Sequence, residues 1–306
     1  MFSRTRLFFL IIYVGLFQYF SNEIIEAASL PCQFNTIVVF GDSTCDDGNG
    51  WRLTNYTYPP TEYYYQGRFS NGPVWVEYLS DYCRAKDDNY AYGGATADNK
   101  FVIALTGYNY DIPVPGIKQE VENIYLPEVK AKRIDFDKTL YIVGYQGNDY
   151  MNNPTVNPWE IVRILYEQWA TLAKSGAKHI LINSFFDLIH LPKAVRDSDL
   201  VKQLLAESVS SVHNAAIDFY VKKFKQEYKK VILYILPMND IWNEIQRANI
   251  RKELGLTDFD NACVIRNTTY TICSNPEQHF FWDNIHPSTK VSRYVASRAY
   301  KIITRK

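Results

Sequence analysis

Four apolar runs recur along the chain, and each predicts a buried β-strand. They cover residues 36–40, 139–143, 179–185 and 231–236. A continuous apolar run that stops at a turn signal is typical of a strand buried on both faces of a parallel sheet. The first run ends at Gly41.

Apolar residues at helical spacing predict helices between these strands. The helices are expected over residues 73–82, 159–173, 201–228 and 287–303. Gly176 provides a stop signal after the second of them. Strands that alternate with helices predict an α/β fold, in which a parallel sheet is covered by helices on both faces.

The N-terminus has the pattern of a secretory signal peptide. Two early arginines precede a nearly continuous apolar stretch over residues 7–20, and small residues follow up to Ser29. The alternative is a membrane anchor, but a spanning helix needs roughly 20 apolar residues. We therefore expect cleavage near Ser29, with 1–29 as the signal peptide, 30–306 as the folded domain, a secreted protein and no stable membrane span.

Secretion permits disulfides, and the chain has five cysteines. Cys263 and Cys273 flank a polar stretch that could turn a hairpin, so we predict that they are bonded. The other three, Cys32, Cys45 and Cys83, cannot all pair with one another. One free thiol is expected, and the sequence leaves open which cysteine carries it.

Charge and composition narrow the possible partners. Lys+Arg and Asp+Glu both number 33, which argues against nucleic acid as a partner. Asn55 and Asn267 each begin an Asn-x-Thr acceptor for N-glycosylation. Residues 51–66 are rich in Tyr, Thr and Pro and read as a long loop that shapes a binding cleft.

Ser43 is a candidate nucleophile because of its position. It lies just after the first predicted strand, at the carboxyl edge of the sheet, where open α/β folds place their chemistry. A nucleophilic serine needs a base, and that base needs a carboxylate to hold it. His286 and Asp283, three residues apart before the last predicted helix, supply this pair. Taken alone, His286 could equally be a surface or capping histidine.

Two further segments could stabilise an oxyanion. Gly93 and Gly94 let the backbone approach a ligand closely, because neither carries a Cβ atom. Asn148 follows the second predicted strand and has a side-chain N–H to donate. The structural alternatives are a tight turn for the glycines and an Asx-turn for Asn148.

Taken together and in this order, these segments resemble the GDSL or SGNH hydrolase family. Ser43 matches the family's nucleophile, Gly94 its oxyanion glycine and Asn148 its oxyanion asparagine. Asp283 and His286 match its Asp-x-x-His pair. The resemblance covers nearly the whole mature chain and implies a flavodoxin-like, three-layer α/β/α sandwich with a parallel sheet.

Two positions depart from the family pattern. Thr44 stands where the family name has Leu, a residue that carries no chemistry. Gln146 stands where the usual Gly-x-Asn-Asp pattern has its first glycine, and glycines occur instead at Gly144 and Gly147. Residues 67–78 and 89–95 look most like the secreted fungal branch, which includes acetyl esterases of carbohydrate esterase family 16.

The resemblance implies a secreted serine ester hydrolase that works through an acyl-enzyme and needs no metal or cofactor. The backbone N–H groups of Ser43 and Gly94, with the Asn148 side chain, would form the oxyanion hole. The expected substrates are short-chain acyl esters, especially acetyl esters, of carbohydrates. The alternatives are a GDSL lipase or phospholipase acting on longer acyl chains, and an inactive secreted binding protein.

Overall fold

Parallel strands form the central sheet of the protein, described here from a computed structural model. The structure describes residues 31–130, 133–206, 208–266 and 269–305, so the predicted signal peptide and Asn267 lie outside it. The strands are β1 (Thr36–Gly41), β2 (Lys86–Asn89), β3 (Leu105–Thr106), β4 (Ile112–Pro113), β5 (Thr139–Gly144), β6 (His179–Asn183), β7 (Ile232–Leu236), β8 (Asp258–Ala262), β9 (Val264–Arg266), β10 (Tyr270–Ile272) and β11 (His279–Phe281).

The main sheet has the strand order β2-β1-β5-β6-β7, and every neighbouring pair in it is parallel. The interior strands carry the apolar runs, and all six residues of β5 are buried. The remaining strands form three separate pairs, β3 with β4, β9 with β10 and β8 with β11. The sheet therefore provides the buried platform from which the loops of the site project.

Helices cover the sheet on both faces, which gives the predicted α/β/α sandwich. The helices are α1 (Asn49–Leu53), α2 (Trp75–Cys83), α3 (Ile117–Gln119), α4 (Leu126–Val129), α5 (Asn148–Asn152), α6 (Pro158–Lys174), α7 (Lys193–Arg196), α8 (Asp199–Ala206), α9 (Val209–Glu227), α10 (Met238–Ile245), α11 (Ala248–Leu254) and α12 (Thr289–Thr304). Helix α2 packs against α12, and α6 packs against α9. A π-helical segment, Glu120–Tyr125, joins α3 to α4.

The four predicted strands are confirmed as β1, β5, β6 and β7. The prediction of one helix over 201–228 is wrong, because the chain forms α8 and then α9. The break lies at Ser208, whose φ of 55° is left-handed and cannot continue a right-handed helix. Strand β2 was not predicted, because its sequence, Lys-Asp-Asp-Asn, is polar and it occupies a sheet edge.

Two disulfides cross-link the described part of the chain. Cys263 is bonded to Cys273, the pair that the sequence predicts, and this bond closes the β9–β10 hairpin. Cys32 is bonded to Cys83, which ties the segment before β1 to the last residue of α2. Cys45 is the free and buried cysteine among the described residues.

We predict that peptide mapping without reduction will recover the Cys32–Cys83 and Cys263–Cys273 linkages. Cys45 should resist alkylation in the folded protein, because burial raises the pKa of its thiol and removes the reactive thiolate. It should be alkylated at once in denaturant. Alkylation of Cys263 or Cys273 without reduction would contradict this pairing.

Candidate active site

The site forms where β1 and β5 end side by side. Gly41 pairs with Gly144 in the parallel register, so the turns that follow the two strands start from adjacent points. The first turn carries Ser43, and the second leads to Asn148 at the start of α5. The sheet thus brings together residues that lie more than 100 positions apart in the sequence.

Ser43, His286 and Asp283 form a continuous hydrogen-bonded relay. The Ser43 Oγ lies 2.7 Å from His286 Nε2. On the other side of the ring, His286 Nδ1 lies 2.8 Å from Asp283 Oδ2 and 2.9 Å from Oδ1. Asp283 Oδ1 also accepts the backbone N–H groups of Ile285 and His286, which holds the carboxylate in place.

The electrostatics of the pair suit a base held by an ionised carboxylate. Burial acts to lower the pKa of His286, but the charge and hydrogen bond of Asp283 outweigh it and raise that pKa above 6.5. Burial acts to raise the pKa of Asp283, and His286 outweighs this and holds it below 3.8. Each group therefore favours the charged form of the other.

The predicted oxyanion donors lie on loops near the ends of β1 and β5 and on the glycine loop. Neither the Ser43 N–H nor the Gly94 N–H has a hydrogen-bond partner within the described ranges. Gly94 has a φ of 93°, and a Cβ there would lie 2.0 Å from the Leu105 carbonyl oxygen, so this position requires glycine. The Asn148 Nδ2 donates to the Ala95 carbonyl at 2.8 Å, which ties α5 to the glycine loop.

The glutamine at position 146, where the family pattern has glycine, fits the observed turn after β5. Gln146 donates its backbone N–H to Asp42 Oδ2 at 2.6 Å, which links the turn after β5 to the nucleophile turn. The glycine that the turn requires is Gly147, which caps α5 with a φ of 93°. A residue with a side chain is therefore tolerated at 146.

Asp46 joins the nucleophile turn to the glycine loop, and sequence reasoning missed it. Its buried carboxylate accepts four backbone N–H groups, from Gly48, Asn49, Gly50 and Gly93, at 2.6–3.0 Å. Burial raises the pKa of Asp46 to about 6, and the four donors oppose that shift. Because Gly93 precedes Gly94, this carboxylate fixes an oxyanion donor relative to Ser43.

Two aromatic residues from the predicted 51–66 loop and its C-terminal flank also touch the relay. The Tyr64 hydroxyl donates to Asp283 Oδ2 at 2.9 Å, and the Phe69 ring lies 5.1 Å from the His286 ring. Nothing local in the sequence marks Tyr64, because its partner is 219 residues away. Both aromatic side chains are buried.

An apolar cavity of about 100 Å³ is lined in part by sequence neighbours of the candidate site residues. Thr44, Asn148, Ile285 and Pro287 line it, and each is one of the relay or oxyanion residues or a sequence neighbour of one. The inner wall is built from large apolar side chains contributed by the segment after β6, by the end of β7 and by α8 and α12; they include Phe185, Leu188, Leu204, Leu236 and Val295.

Two other kinds of feature, a metal-binding cluster and a membrane-spanning helix, are absent from the described part of the chain. No group of three or more His, Cys, Asp or Glu side chains there is placed to hold a metal ion. Within the same residues, no helix has both the length and the apolar character needed to cross a membrane.

Comparison with known proteins identifies a family and relatives that match most of this chain. The family model described as GDSL-like Lipase/Acylhydrolase matches residues 37–299. The thermolabile hemolysin of Vibrio parahaemolyticus is 27% identical over 291 residues, covering 89% of this chain and 65% of its own length. The phosphatidylcholine-sterol acyltransferase of Aeromonas hydrophila is 28% identical over 243 residues, covering 78% of this chain and 68% of its own.

Solved structures agree on the fold. A carbohydrate esterase family 2 enzyme from Myceliophthora fergusii superposes with a TM-score of 0.50 at 13% identity. The match covers 90% of this chain and 67% of that enzyme. The likeness is one of fold, a parallel sheet between layers of helices.

We predict that Asp46→Asn destabilises the protein, whereas its neighbour Asp47→Asn does not. An asparagine at 46 would offer one acceptor and an NH₂ group to four backbone N–H donors, and this should lower the free energy of unfolding by about 2–4 kcal/mol. Asp47 forms an ion pair with the half-exposed Arg52 and accepts no backbone N–H from the described residues, so its change should stay within about 0.5 kcal/mol. Urea unfolding at pH 8 measures both, and equal effects would refute the role of Asp46.

Proposed function

Because the chain belongs to the GDSL-like lipase/acylhydrolase family and is a carboxylic ester hydrolase, we propose that Ser43 is its nucleophile, His286 its general base and Asp283 the carboxylate that holds His286. The observation that supports these roles is the relay itself, 2.7 Å from Ser43 Oγ to His286 Nε2 and 2.8 Å from His286 Nδ1 to Asp283 Oδ2. The same geometry argues against an inactive binding protein.

The reaction follows from these contacts. Ser43 Oγ attacks the ester carbonyl carbon as its proton passes to His286 Nε2. When the tetrahedral intermediate collapses, the ester C–O bond breaks and His286 gives that proton to the departing alcohol oxygen. Water then attacks the acyl carbon as His286 takes a proton from it, the bond from the acyl carbon to Ser43 Oγ breaks, and His286 returns the proton to Oγ as the carboxylic acid leaves.

The negative oxygen of each intermediate would be bound by three donors. The Ser43 and Gly94 N–H groups have no other acceptor within the described residues, and Asn148 has a second amide hydrogen beyond the one given to Ala95. Donors already fixed in position stabilise the charge without the cost of reorienting during the reaction. The bond to Ala95 therefore orients Asn148 for this role.

For the acyl group, the apolar cavity supports a chain longer than acetyl. A cavity of about 10–15 Å³ holds one water-sized group, so about 100 Å³ has room for roughly seven to ten such groups in a chain. The wall offers contact to methylene groups, which gain about 0.8 kcal/mol each on burial. We therefore propose medium-length acyl esters, such as octanoyl, as preferred substrates. The name of the Aeromonas relative, which refers to a phospholipid, is in keeping with a lipid ester.

Acetylated carbohydrate remains the second candidate, and its basis is the aromatic loop at 51–66. Much of that aromatic surface is already in contact with other protein groups. Trp51 packs on Tyr56 with ring centroids 4.7 Å apart, and Tyr58 packs on Phe69 with centroids 5.7 Å apart. The Tyr64 hydroxyl is hydrogen-bonded to Asp283. Tyr56 and Tyr65 are the exposed rings of this loop, and the cavity carries more weight because it adjoins Thr44, Asn148 and Ile285.

We also propose that the protein is secreted. The signal-peptide pattern at 1–29 lies outside the described residues, and the support within them is the presence of two disulfides, which persist in oxidising compartments. Asn55 is exposed, as a glycosylation acceptor must be. N-terminal sequencing of the secreted protein should begin near residue 30.

We predict that Asn148→Ala lowers kcat with little change in KM. An oxyanion donor binds the charged intermediate more strongly than the neutral ester, so its loss should cost about 2.7–4 kcal/mol of transition-state stabilisation. Steady-state kinetics on a p-nitrophenyl ester measures this split. A variant that lost affinity but kept kcat would assign Asn148 to substrate binding.

We predict that p-nitrophenyl octanoate is hydrolysed with a kcat/KM about 10²-fold or more above that of the acetate. The reason is the apolar contact that the additional methylene groups gain in the cavity. Leu204→Phe, which fills part of the cavity, should remove most of this preference and spare the acetate. Leu205→Phe, the next residue on α8 and not part of the cavity lining, is the matched control.

Two results would change this proposal. If acetate is the better ester and acetylated oligosaccharides release acetate, the carbohydrate candidate replaces the lipid one. If Ser43→Ala protein that is folded retains hydrolysis, the assignment of the nucleophile fails, whatever the chain-length preference.

A further inference from the structure

We propose that Tyr64 is a positioning residue for the relay: it holds Asp283 in place and limits the pull of that carboxylate on the His286 proton. This inference rests on the proposed roles of Ser43, His286 and Asp283. The bond that carries it joins the Tyr64 hydroxyl to Asp283 Oδ2 at 2.9 Å. Tyr64 does not touch Ser43, so it would act only through Asp283.

The two oxygens of Asp283 have different partners. Oδ1 accepts the backbone N–H groups of Ile285 and His286, which belong to the same turn of chain. Oδ2 accepts the Tyr64 hydroxyl, which comes from the other end of the sequence, and it also makes the shorter contact to His286 Nδ1. The Tyr64 hydroxyl and the imidazole of His286 therefore contact the same oxygen of Asp283, the one closer to the imidazole.

The surroundings hold Tyr64 rigidly. Its backbone N–H donates to the Pro60 carbonyl, and the Tyr63 carbonyl accepts the Trp282 indole N–H at 3.1 Å. Tyr64 forms a small buried cluster with Cys263, Val264 and Trp282. The Cys263–Cys273 disulfide belongs to the same cluster, so the loop of Tyr64 and the segment of Asp283 are fastened to each other beside the bond.

The hydroxyl is a permanent donor. Burial raises the pKa of Tyr64, with the charge of Asp283 adding to the effect, so the phenol stays protonated wherever the relay works. A carboxylate has only acceptor sites, and each donated hydrogen bond stabilises its charge. Because Tyr64 satisfies part of that charge, the remaining attraction for an imidazolium is weaker than it would be without it.

The other titratable groups near Asp283 and His286 do not obscure the effect of Tyr64 on the pKa of His286. Asp42 faces His286 and, by its charge, favours the imidazolium. Tyr58 and Tyr270 face Asp283 with neutral hydroxyls. Arg266 lies beyond Tyr270, with its guanidinium 5.9 Å from that ring. None of these groups changes when the Tyr64 hydroxyl alone is removed.

The test compares Tyr64→Phe with Tyr63→Phe. The first change deletes one hydroxyl, and the second deletes a hydroxyl that has no hydrogen bond within the described residues, from a ring stacked on Tyr270. For Tyr64→Phe we expect a several-fold lower kcat, an unchanged KM and an acid limb of kcat/KM shifted to higher pH by about 0.5 or more. The sign follows because a less satisfied Asp283 raises the pKa of His286, and the base must be neutral to act. Tyr63→Phe should match the wild type.

A second measurement does not depend on turnover. In a Ser43→Ala background, NMR titration of ¹⁵N-labelled histidine should show the His286 pKa raised by Tyr64→Phe and unmoved by Tyr63→Phe. If kcat falls and thermal stability drops while both the acid limb and the His286 titration stay in place, Tyr64 is only structural and the proposal fails. If instead the His286 pKa shifts but Ser43→Ala still hydrolyses ester, the proposed nucleophile fails and the Tyr64 coupling stands.

Discussion

Buried carboxylates that accept backbone N–H groups hold the loops of this site together. Asp42 binds the turn after β5, Asp46 binds the glycine loop, and Asp149 accepts the Ala97 N–H at 2.9 Å. Glu120, from the π-helical segment, accepts the Gly41 N–H at 2.8 Å just before the nucleophile turn. Burying a carboxyl group is costly without hydrogen-bond donors, so the donor that each acid binds ties one loop to another, even though Glu120 Oε1 and Asp149 Oδ1 have no partner among the described residues.

These acids hold the Ser43 side of a relay whose two ends lie 243 residues apart in the sequence. Ser43 and His286 sit on separate loops, and a 1 Å displacement of either would break the 2.7 Å contact. Burial raises the pKa of Asp42 and of Asp149, the latter to about 7, and places the pKa of Glu120 well above its ordinary value. The site thus concentrates groups whose charge is costly, which is typical of a place where position matters more than stability.

The sequence predicts the sheet and the relay well, for a physical reason. Strands β1, β5 and β6 are interior strands, so their apolar runs reflect burial on both faces, and β7 is an edge strand whose apolar run is only partly buried. Parallel topology then sends their carboxyl ends to one edge, and the turn residues after β1 and β5 must meet there. The Asp283–His286 pair is local in sequence, so its geometry follows from one short turn.

Contacts between distant segments are what the sequence cannot supply. The hydrogen bond from Tyr64 to Asp283 depends on how the long aromatic loop folds back toward Asp283, and no repeat pattern in the sequence predicts that path. Strand β2, at one edge of the sheet, has a polar sequence and no fully buried residue, so a pattern that relies on burial misses it, whereas β7 at the other edge is apolar and is found. Helices α8 and α9 are separate because the backbone of Ser208 is left-handed, and the spacing of the apolar residues gives no sign of that conformation.

The apolar cavity shows how stability and chemistry are balanced in this fold. Space of about 100 Å³ among large apolar side chains costs roughly 2 kcal/mol relative to a core that filled it. Larger side chains at a few positions on α8 or α12 would recover much of that energy. The space lies instead where Thr44, Asn148, Ile285 and Pro287, which belong to the candidate site or neighbour it in sequence, form part of the lining. A packing defect would have no reason to lie next to these residues, whereas the acyl-binding pocket that we propose would have to, and this is the physical argument behind that proposal.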